Sequence, residues 1–292
     1  MSYSLIPGGP VGTSLQRPEC VVVTGQGELK GDLVVSDSRG GVTRIRADGT
    51  CSYVPCPGGT TNGIAQGRDG TLYLAGIDSG TVHALHPDGS ARLIIATFAG
   101  HDLGAVNFVT FDPRGGLWIT VSTRTMPRSR AIEQPIPDGY ILKLDPAGPR
   151  LMADGLCFAN ELRFDAAMRF AYLAESRRGR IVRMNVKANG DLGPIEPFGP
   201  DPLFEGAIVD GLAFDADGGL WVTEVTRNGI HRIDPDGHAV CLFEDPQGTF
   251  MDFPASVAFG GPDRKTVIVG SIRMDRLVTF QSSVAGAPMW HY

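Results

Sequence analysis

The sequence predicts an all-β fold, a six-bladed β-propeller with four antiparallel strands in each blade. A related segment recurs six times along the 292 residues. Each copy has a short alternating apolar run, a turn rich in Gly, Asp or Pro, and a second run of β-branched and aromatic residues, a pattern typical of a β-hairpin. No helical periodicity of useful length appears, which argues against a parallel α/β sheet. The length and the even composition predict a single domain over residues 1–292.

The six copies share a polar residue at the start of the first predicted strand, and successive copies of this residue are 43 to 53 positions apart. The copies are PECVVVTGQGELKGDLVVSD (18–37), TNGIAQGRDGTLYLAG (61–76), VNFVTFDPRGGLWITV (106–121), ANELRFDAAMRFAYLAE (159–175), VDGLAFDADGGLWVTEV (209–225) and ASVAFGGPDRKTVIVG (255–270). A third strand and then a fourth follow in most copies, as in GTVHALHPDGS and ARLIIAT. A period of about 40 to 50 residues with four strands is typical of propeller blades.

The strand pattern of the last copy ends near Gln281, so this copy lacks a fourth strand. The N-terminal segment SYSLIPG has the composition of a strand and could supply it. We therefore expect an N-terminal strand that closes the last blade.

The shared polar residues should surround the central channel, because the first strand of each blade lines the axis of a propeller. We refer to these six residues as the polar ring: Glu19, Asn62, Asn107, Asn160, Asp210 and Ser256. Buried carboxylates and amides are costly unless they are paired. Either water fills the channel and the side chains cap the strand starts, or a divalent cation binds Glu19, Asn107, Asn160 and Asp210. Such an all-oxygen set suits a hard cation such as Ca²⁺.

The repeats resemble the SMP-30/gluconolactonase (regucalcin-like) family of six-bladed propellers from Pro18 to about Phe280. The most specific matches are VDGLAFDADGGLWVTEV with Asp210, PASVAFGGPDRKTVIVGS in the last blade and FANELRFDAAMRFAYLAES with Asn160. Glu19 and Asn107 match the family's first-blade glutamate and third-blade asparagine. The resemblance implies a metal-dependent hydrolase of lactones, with one divalent ion (Ca²⁺, or Zn²⁺, Mn²⁺ or Mg²⁺) at the ring centre and Asp210 as the base.

Departures from the family pattern bear on the substrate. Sugar-lactone members often carry R-x-N-D around the third-blade asparagine, whereas Ala105 to Phe108 reads AVNF here, and Glu161 replaces a usual glycine. These changes predict a non-sugar or fairly apolar lactone, or a related ester. The expected substrate-binding residues lie at or near the ring positions: Asn62, Phe108, Phe158, Met251, Phe253 and Ser256.

A long segment interrupts the third blade, STRTMPRSRAIEQPIPDG at 122–139. Segments of this length are often lids or binding loops. An arginine within it could bind a substrate carboxylate, although a solvated loop is the alternative.

Two other functions remain open for the same fold. One is an organophosphate-type phosphotriester hydrolase that uses the same metal ring. The other is a propeller without turnover, either calcium-binding or a platform for protein interaction. Two acids and two amides in the channel favour an enzyme, because an interaction platform has no need of buried charge.

The overall composition restricts the classes of molecule that the protein is expected to bind. A formal net charge of −6 without a cluster of Lys and Arg makes nucleic acid an unsuitable partner. No stretch approaches the roughly 18 apolar residues of a membrane span. Five cysteines form no CxxC pair, which is typical of reduced thiols. We expect a cytoplasmic protein that acts on a small molecule.

Overall fold

The computed structural model describes residues 3–25 and 27–288. Within these residues, six four-stranded antiparallel sheets follow one another around a central axis. This arrangement confirms the all-β six-bladed propeller that the repeats predict.

The N-terminal strand is β1 (Leu5–Val11). The next three blades follow in chain order, and each begins with its innermost strand. Blade one contains β2 (Val21–Val23), β3 (Leu33–Ser36), β4 (Gly41–Ile45) and β5 (Cys51–Pro55). Blade two contains β6 (Thr61–Gln66), β7 (Leu72–Gly76), β8 (Thr81–Leu85) and β9 (Ala91–Ile95). A short hairpin of β10 (Thr97–Phe98) and β11 (His101–Asp102) precedes blade three, which contains β12 (Val106–Phe111), β13 (Leu117–Val121), β14 (Gly139–Asp145) and β15 (Gly148–Leu156).

The remaining blades repeat the same order of strands. Blade four contains β16 (Ala159–Phe164), β17 (Phe170–Glu175), β18 (Arg180–Asn185) and β19 (Glu196–Phe198). Blade five contains β20 (Val209–Phe214), β21 (Leu220–Glu224), β22 (Gly229–Ile233) and β23 (Ala239–Glu244). Blade six contains β24 (Pro254–Gly260), β25 (Thr266–Ser271) and β26 (Leu277–Ser282). Helical structure in the described residues is confined to α1 (Ser129–Glu133) and two 3₁₀ turns, Gly27–Leu29 and Ser176–Arg178.

The sixth sheet takes its outermost strand from the other end of the chain. Its order is β1, β26, β25, β24, with β1 antiparallel to β26. Leu5 pairs with Ser282 and Val11 with Leu277, and the register shifts between Pro7 and Pro10. The strand therefore covers an edge of β26 that would otherwise expose unpaired backbone groups.

Deleting residues 1–9 is expected to lower the melting temperature, because most of β1 is lost and the backbone groups of β26 lose their partners. Thermal unfolding followed by circular dichroism measures the change. The matched control is Ile6→Ser, which keeps the backbone pairing and changes a side chain that is 62% exposed. A deleted chain that melts with the intact one would show that β1 does not stabilise the ring.

Two blades share a device that fixes the turn between their first two strands. Asp112 accepts hydrogen bonds from the indole Nε1 of Trp118 at 2.9 Å and from the backbone N–H of Gly116 at 2.9 Å. Asp215 makes the same bonds with Trp221 and Gly219, at 2.9 and 2.8 Å. In the D-x-x-G-G-L-W pattern, one aspartate carboxylate therefore holds both the turn and the buried tryptophan by hydrogen bonds.

The innermost strands approach each other closely near the ring positions. A Cβ at Gly63 would lie 2.6 Å from Phe108 Cα, and one at Gly211 would lie 2.5 Å from Ser256 Cα. Only glycine allows backbones to approach this closely. Apolar side chains fill the space between adjacent blades.

Two further expectations can be compared with the structure. All five cysteines are free, as their number and spacing predict. None of the helices in the described residues has the length and apolar character needed to cross a membrane.

Candidate metal centre

The six residues of the polar ring occupy equivalent places in the six blades. Five of them lie at or near the beginning of an innermost strand, β6, β12, β16, β20 or β24, and Glu19 lies two residues before β2. All six are buried although they are polar. The ring therefore forms one end of the central channel, where polar groups replace the apolar contacts of a core.

Arg17 connects two residues of the ring. Its guanidinium forms an ion pair with Glu19, and its Nη1 donates a hydrogen bond of 3.1 Å to Asn62 Oδ1. Asn62 Nδ2 in turn donates to the backbone carbonyl of Asn107 at 3.1 Å. Blades one, two and three are thus joined by polar contacts at the ring.

The other half of the ring is fixed by hydroxyl groups. Asn160 Nδ2 donates to Ser176 Oγ at 3.1 Å, which holds the plane of the amide. Ser256 Oγ accepts the backbone N–H of Val21 at 3.2 Å and so joins blade six to blade one. Ser256 therefore has a structural role at this position, in addition to any contact with a ligand.

Two oxygens of the ring are buried and lack a hydrogen-bond donor. They are Glu19 Oε2 and Asn107 Oδ1, and no group in the described residues donates to either. The Arg17 guanidinium contacts Glu19 Oε2 as an ion pair, but without the alignment of a hydrogen bond. Asn107 Oδ1 is therefore the ring oxygen left without any partner in the described residues, and an unpaired buried acceptor costs about 1–3 kcal/mol.

Three carboxylates at the ring, those of Asp210, Glu19 and Glu161, repel one another. Burial raises the pKa of Asp210 well above its ordinary value, and the charges of Glu19 and Glu161 raise it further, against an opposing effect of Arg17. Burial also raises the pKa of Glu161 to about 7. Burial and this repulsion therefore favour the protonated form of Asp210 in the absence of a cation.

The donor set fits a divalent cation. Glu19 and Asp210 offer carboxylate oxygens, and Asn107 offers an amide oxygen that nothing else in the described chain uses. Hard cations such as Ca²⁺ bind such oxygens and would remove both the unpaired acceptors and the repulsion between carboxylates.

Arg17 and Glu161 are site residues that the sequence reasoning missed. Glu161 accepts the backbone N–H of Leu212 at 3.0 Å and pairs with Arg163 at 3.0 Å. The sequence could have indicated Glu161, because this charged residue directly follows Asn160, where glycine is usual. Arg17 carried a weaker signal, because it precedes the first predicted strand and had no counterpart in the other copies.

The aromatic and apolar residues expected to bind substrate fall into two groups. Phe108 and Met251 are buried in the packing of the blades, so they support the channel from behind. Phe158 and Phe253 have left-handed backbones, with φ of 63° and 55°, and Arg17 shares this conformation at 55°. Such strain costs about 1–3 kcal/mol per residue and clusters at ligand sites. Each of the three lies two or three residues before a ring residue, at the rim of the channel.

The segment 122–139 lies on the same side as the ring, because the end of β13 pairs with the start of β12. Arg128 pairs with Asp78, beneath α1, and the two residues line a cavity of about 410 Å³. Burial alone would raise the pKa of Asp78. A hydrogen bond with the Thr60 side chain and the positive charges of Arg128 and Arg17 outweigh burial, so the pKa of Asp78 lies below its ordinary value. Positive and negative side chains therefore alternate from the segment to the polar ring, in the order Arg128, Asp78, Arg17 and Glu19.

Another arginine of this segment is held within it. Arg124 Nη1 donates to the backbone carbonyl of Asp138 at 2.9 Å, and its guanidinium stacks on Tyr140 at 3.9 Å. Arg124 therefore fixes the base of the segment and is not available to a substrate in this conformation.

A larger cavity, about 840 Å³, opens at the opposite end of the channel. It is lined by the ends of the innermost strands, including Phe111, Phe164 and Phe214, and by none of the ring residues in the described chain. Arg163 lines this cavity and pairs with Glu161 of the ring region. The volume of this cavity favours a site at this end, whereas the buried carboxylates and the unpartnered Asn107 Oδ1 of the candidate metal centre lie at the other end.

A family model described as the SMP-30/Gluconolactonase/LRE-like region matches residues 19–273. The chain belongs to this family. The match begins at Glu19 and contains every residue of the polar ring, which confirms the resemblance carried by the repeats.

The sequence identity to individual proteins is low. The 6-deoxy-6-sulfogluconolactonase of Pseudomonas putida is 27% identical over 166 residues, 56% of this chain and 53% of that protein. The chain thus matches about half the length of this curated relative. A gluconolactonase structure from Xanthomonas campestris has a TM-score of 0.72 at 20% identity, covering 96% of this chain and 86% of that one. Regucalcin, a calcium-binding protein from Agrobacterium tumefaciens, has a TM-score of 0.72 at 18% identity, covering 99% and 95%. At these identities the likeness shows the shared fold.

Proposed function

We propose that the protein is a metal-dependent hydrolase that opens a lactone, or cleaves a related ester, at the polar ring. The observation that carries this proposal is the buried donor set of the ring, in which Asn107 Oδ1 has no hydrogen-bond donor in the described residues and the carboxylates of Glu19 and Asp210 repel each other. Membership of a family that includes gluconolactonases supports lactone hydrolysis in general.

Four residues would hold the cation: Glu19, Asn107, Asn160 and Asp210. When bound, a divalent ion supplies a Lewis acid that polarises the carbonyl of the lactone and stabilises the oxyanion that forms. Ca²⁺ suits the oxygen ligands best, and Zn²⁺, Mn²⁺ or Mg²⁺ are the alternatives.

Asp210 is the proposed base. Its second function, besides ligation, is to take a proton from the attacking water or to orient that water. Ser176 keeps Asn160 in place and so fixes one neighbour of the base.

Arg17 would bind the product. Hydrolysis of a lactone produces a carboxylate, and Arg17 is a cation at the rim whose side chain is 20% exposed. Guanidinium and carboxylate match in geometry as well as in charge. Phe158 and Phe253 at the same rim favour a substrate with an apolar part, while Asn62 and Ser256 would contact polar atoms near the carbonyl.

Chelation tests the metal dependence. We expect the purified protein to contain a divalent ion, to lose lactone hydrolysis when the ion is chelated, and to recover hydrolysis when Ca²⁺ is restored, because the carbonyl is otherwise not polarised. Metal analysis and a lactone panel are measured on the same samples. Full activity in protein shown to be free of metal would refute the proposal.

The panel also separates the alternatives. It should contain sugar lactones, including 6-deoxy-6-sulfogluconolactone because of the Pseudomonas relative, together with aliphatic and aromatic lactones and a phosphotriester. Preference for the phosphotriester would replace the lactonase by a phosphotriester hydrolase. Stoichiometric metal without turnover on any member would favour a calcium-binding or interaction propeller.

A further inference from the structure

A second group of metal-ligating side chains lies on the outer strands of blade five, on β22 and β23 rather than on an innermost strand. His231, Cys241 and Glu244 each place one ligand atom within 4.8 Å of the other two. The group consists of a nitrogen, a sulfur and an oxygen donor, unlike the oxygen donors of the polar ring.

An irregularity in the sheet brings these residues together. His231 pairs directly with Cys241, whereas the preceding pair is Ile230 with Phe243, so one extra residue, Leu242, is inserted in β23. Residues three apart on a regular strand point to opposite faces. The bulge therefore places Cys241 and Glu244 on one face, beside His231.

Gly229 makes room for the group. It pairs with Glu244 across the two strands. A Cβ at this position would lie 2.9 Å from His231 Nε2 and 3.7 Å from Glu244 Cγ. The missing side chain thus leaves the space in which the imidazole nitrogen and the glutamate meet.

His231 places its Nε2 atom, which could bind a metal, in this space. The residue is only 5% exposed, and its Nε2 is buried without a hydrogen-bond partner in the described part of the chain. Burial lowers the pKa of His231, against the opposing charges of Glu224 and Glu244. A lowered pKa favours the neutral imidazole, which is the form that binds metals.

We propose that His231, Cys241 and Glu244 form a second metal site that binds Zn²⁺ or a similar transition metal. Imidazole, thiolate and carboxylate are the three ligand types of zinc sites, and thiolate disfavours Ca²⁺ and Mg²⁺. Three protein ligands leave a fourth position for water, and Cys241 is exposed enough for an ion to enter. The ion would join β22 to β23.

Binding must release a proton. Burial and the neighbouring Glu244 raise the pKa of Cys241 to about 11, so the free thiol is protonated at neutral pH. The metal–sulfur bond replaces the sulfur–hydrogen bond, and the proton passes to solvent.

The test titrates the 292-residue chain with Co²⁺ in the presence of excess Ca²⁺, which competes for the polar ring. The expected result is a thiolate-to-cobalt charge-transfer absorption that saturates at one ion per chain and is displaced by Zn²⁺. Cys241→Ser should abolish this absorption, and Glu244→Gln and His231→Gln should weaken binding. Cys51→Ser, at another partly exposed cysteine, should leave the titration unchanged.

Two results would overturn the proposal. One is the absence of the absorption in wild-type protein, and the other is its persistence in Cys241→Ser. His231 is buried, so its variant could fail to fold, but Cys241 is exposed and its variant keeps the test decisive. Retention of the cobalt signal in Glu19→Gln would show that this site is independent of the ring and of the proposed hydrolysis.

Discussion

Replacing Asp210 by asparagine should leave the fold and some metal binding intact and reduce turnover by about 10²- to 10⁴-fold, the usual contribution of a general base. Asparagine keeps an oxygen ligand but cannot accept a proton. The change also removes a carboxylate from a crowded group, so the metal-free protein should not become less stable. Steady-state kinetics on the best lactone of the panel, together with metal analysis, measures the result.

The matched control is Asp217→Asn, the same chemical change on an exposed turn of the same blade. It should keep wild-type kinetics. Because Asp210→Asn retains its ligating oxygen, a loss of turnover with the metal still bound assigns proton transfer to the carboxylate. An unimpaired Asp210→Asn enzyme would refute the role of this residue.

Replacing Asp215 by alanine should lower the free energy of unfolding by about 3–5 kcal/mol, the range for breaking a buried ion pair. Asp215 accepts Arg232 Nε at 2.6 Å, and both side chains are 0% exposed. The substitution leaves a guanidinium buried with less compensation and also removes the acceptor of Trp221. Urea denaturation measures the loss.

Two comparisons separate the ion pair from a general effect of mutation. Asp191→Ala removes an exposed partner of Arg150 and should change stability much less. The double variant Asp215→Ala, Arg232→Met should recover part of the loss, because a buried pair costs less to remove entirely than to break. A single Asp215→Ala variant that unfolds at the wild-type urea concentration would contradict the prediction.

The sequence predicts the fold well because every blade repeats the same local pattern. Strand alternation and turn residues are local properties, and an equivalent polar position in six copies implies a ring in a closed propeller. Asp112 and Trp118 illustrate this, since both belong to one short motif whose contacts lie within it.

The parts that escaped prediction depend on contacts between distant segments. Glu161 is in the sequence beside Asn160, but its influence on Asp210 appears only when blades four and five pack together. The pairing of Asp78 with Arg128 spans 50 residues and two blades. His231, Cys241 and Glu244 share a face only because β23 has a bulge, which alternation alone does not reveal.

The pairing of β1 with β26 joins residues 270 positions apart, as between Gly9 and Thr279. During synthesis on the ribosome, β1 lacks this partner until the residues of β26, 270 positions later, have emerged. Ring closure then has a large entropic barrier, because folding slows as contacts span more of the sequence. The newly made protein should therefore remain open, with an uncovered strand edge, longer than its individual hairpins take to form.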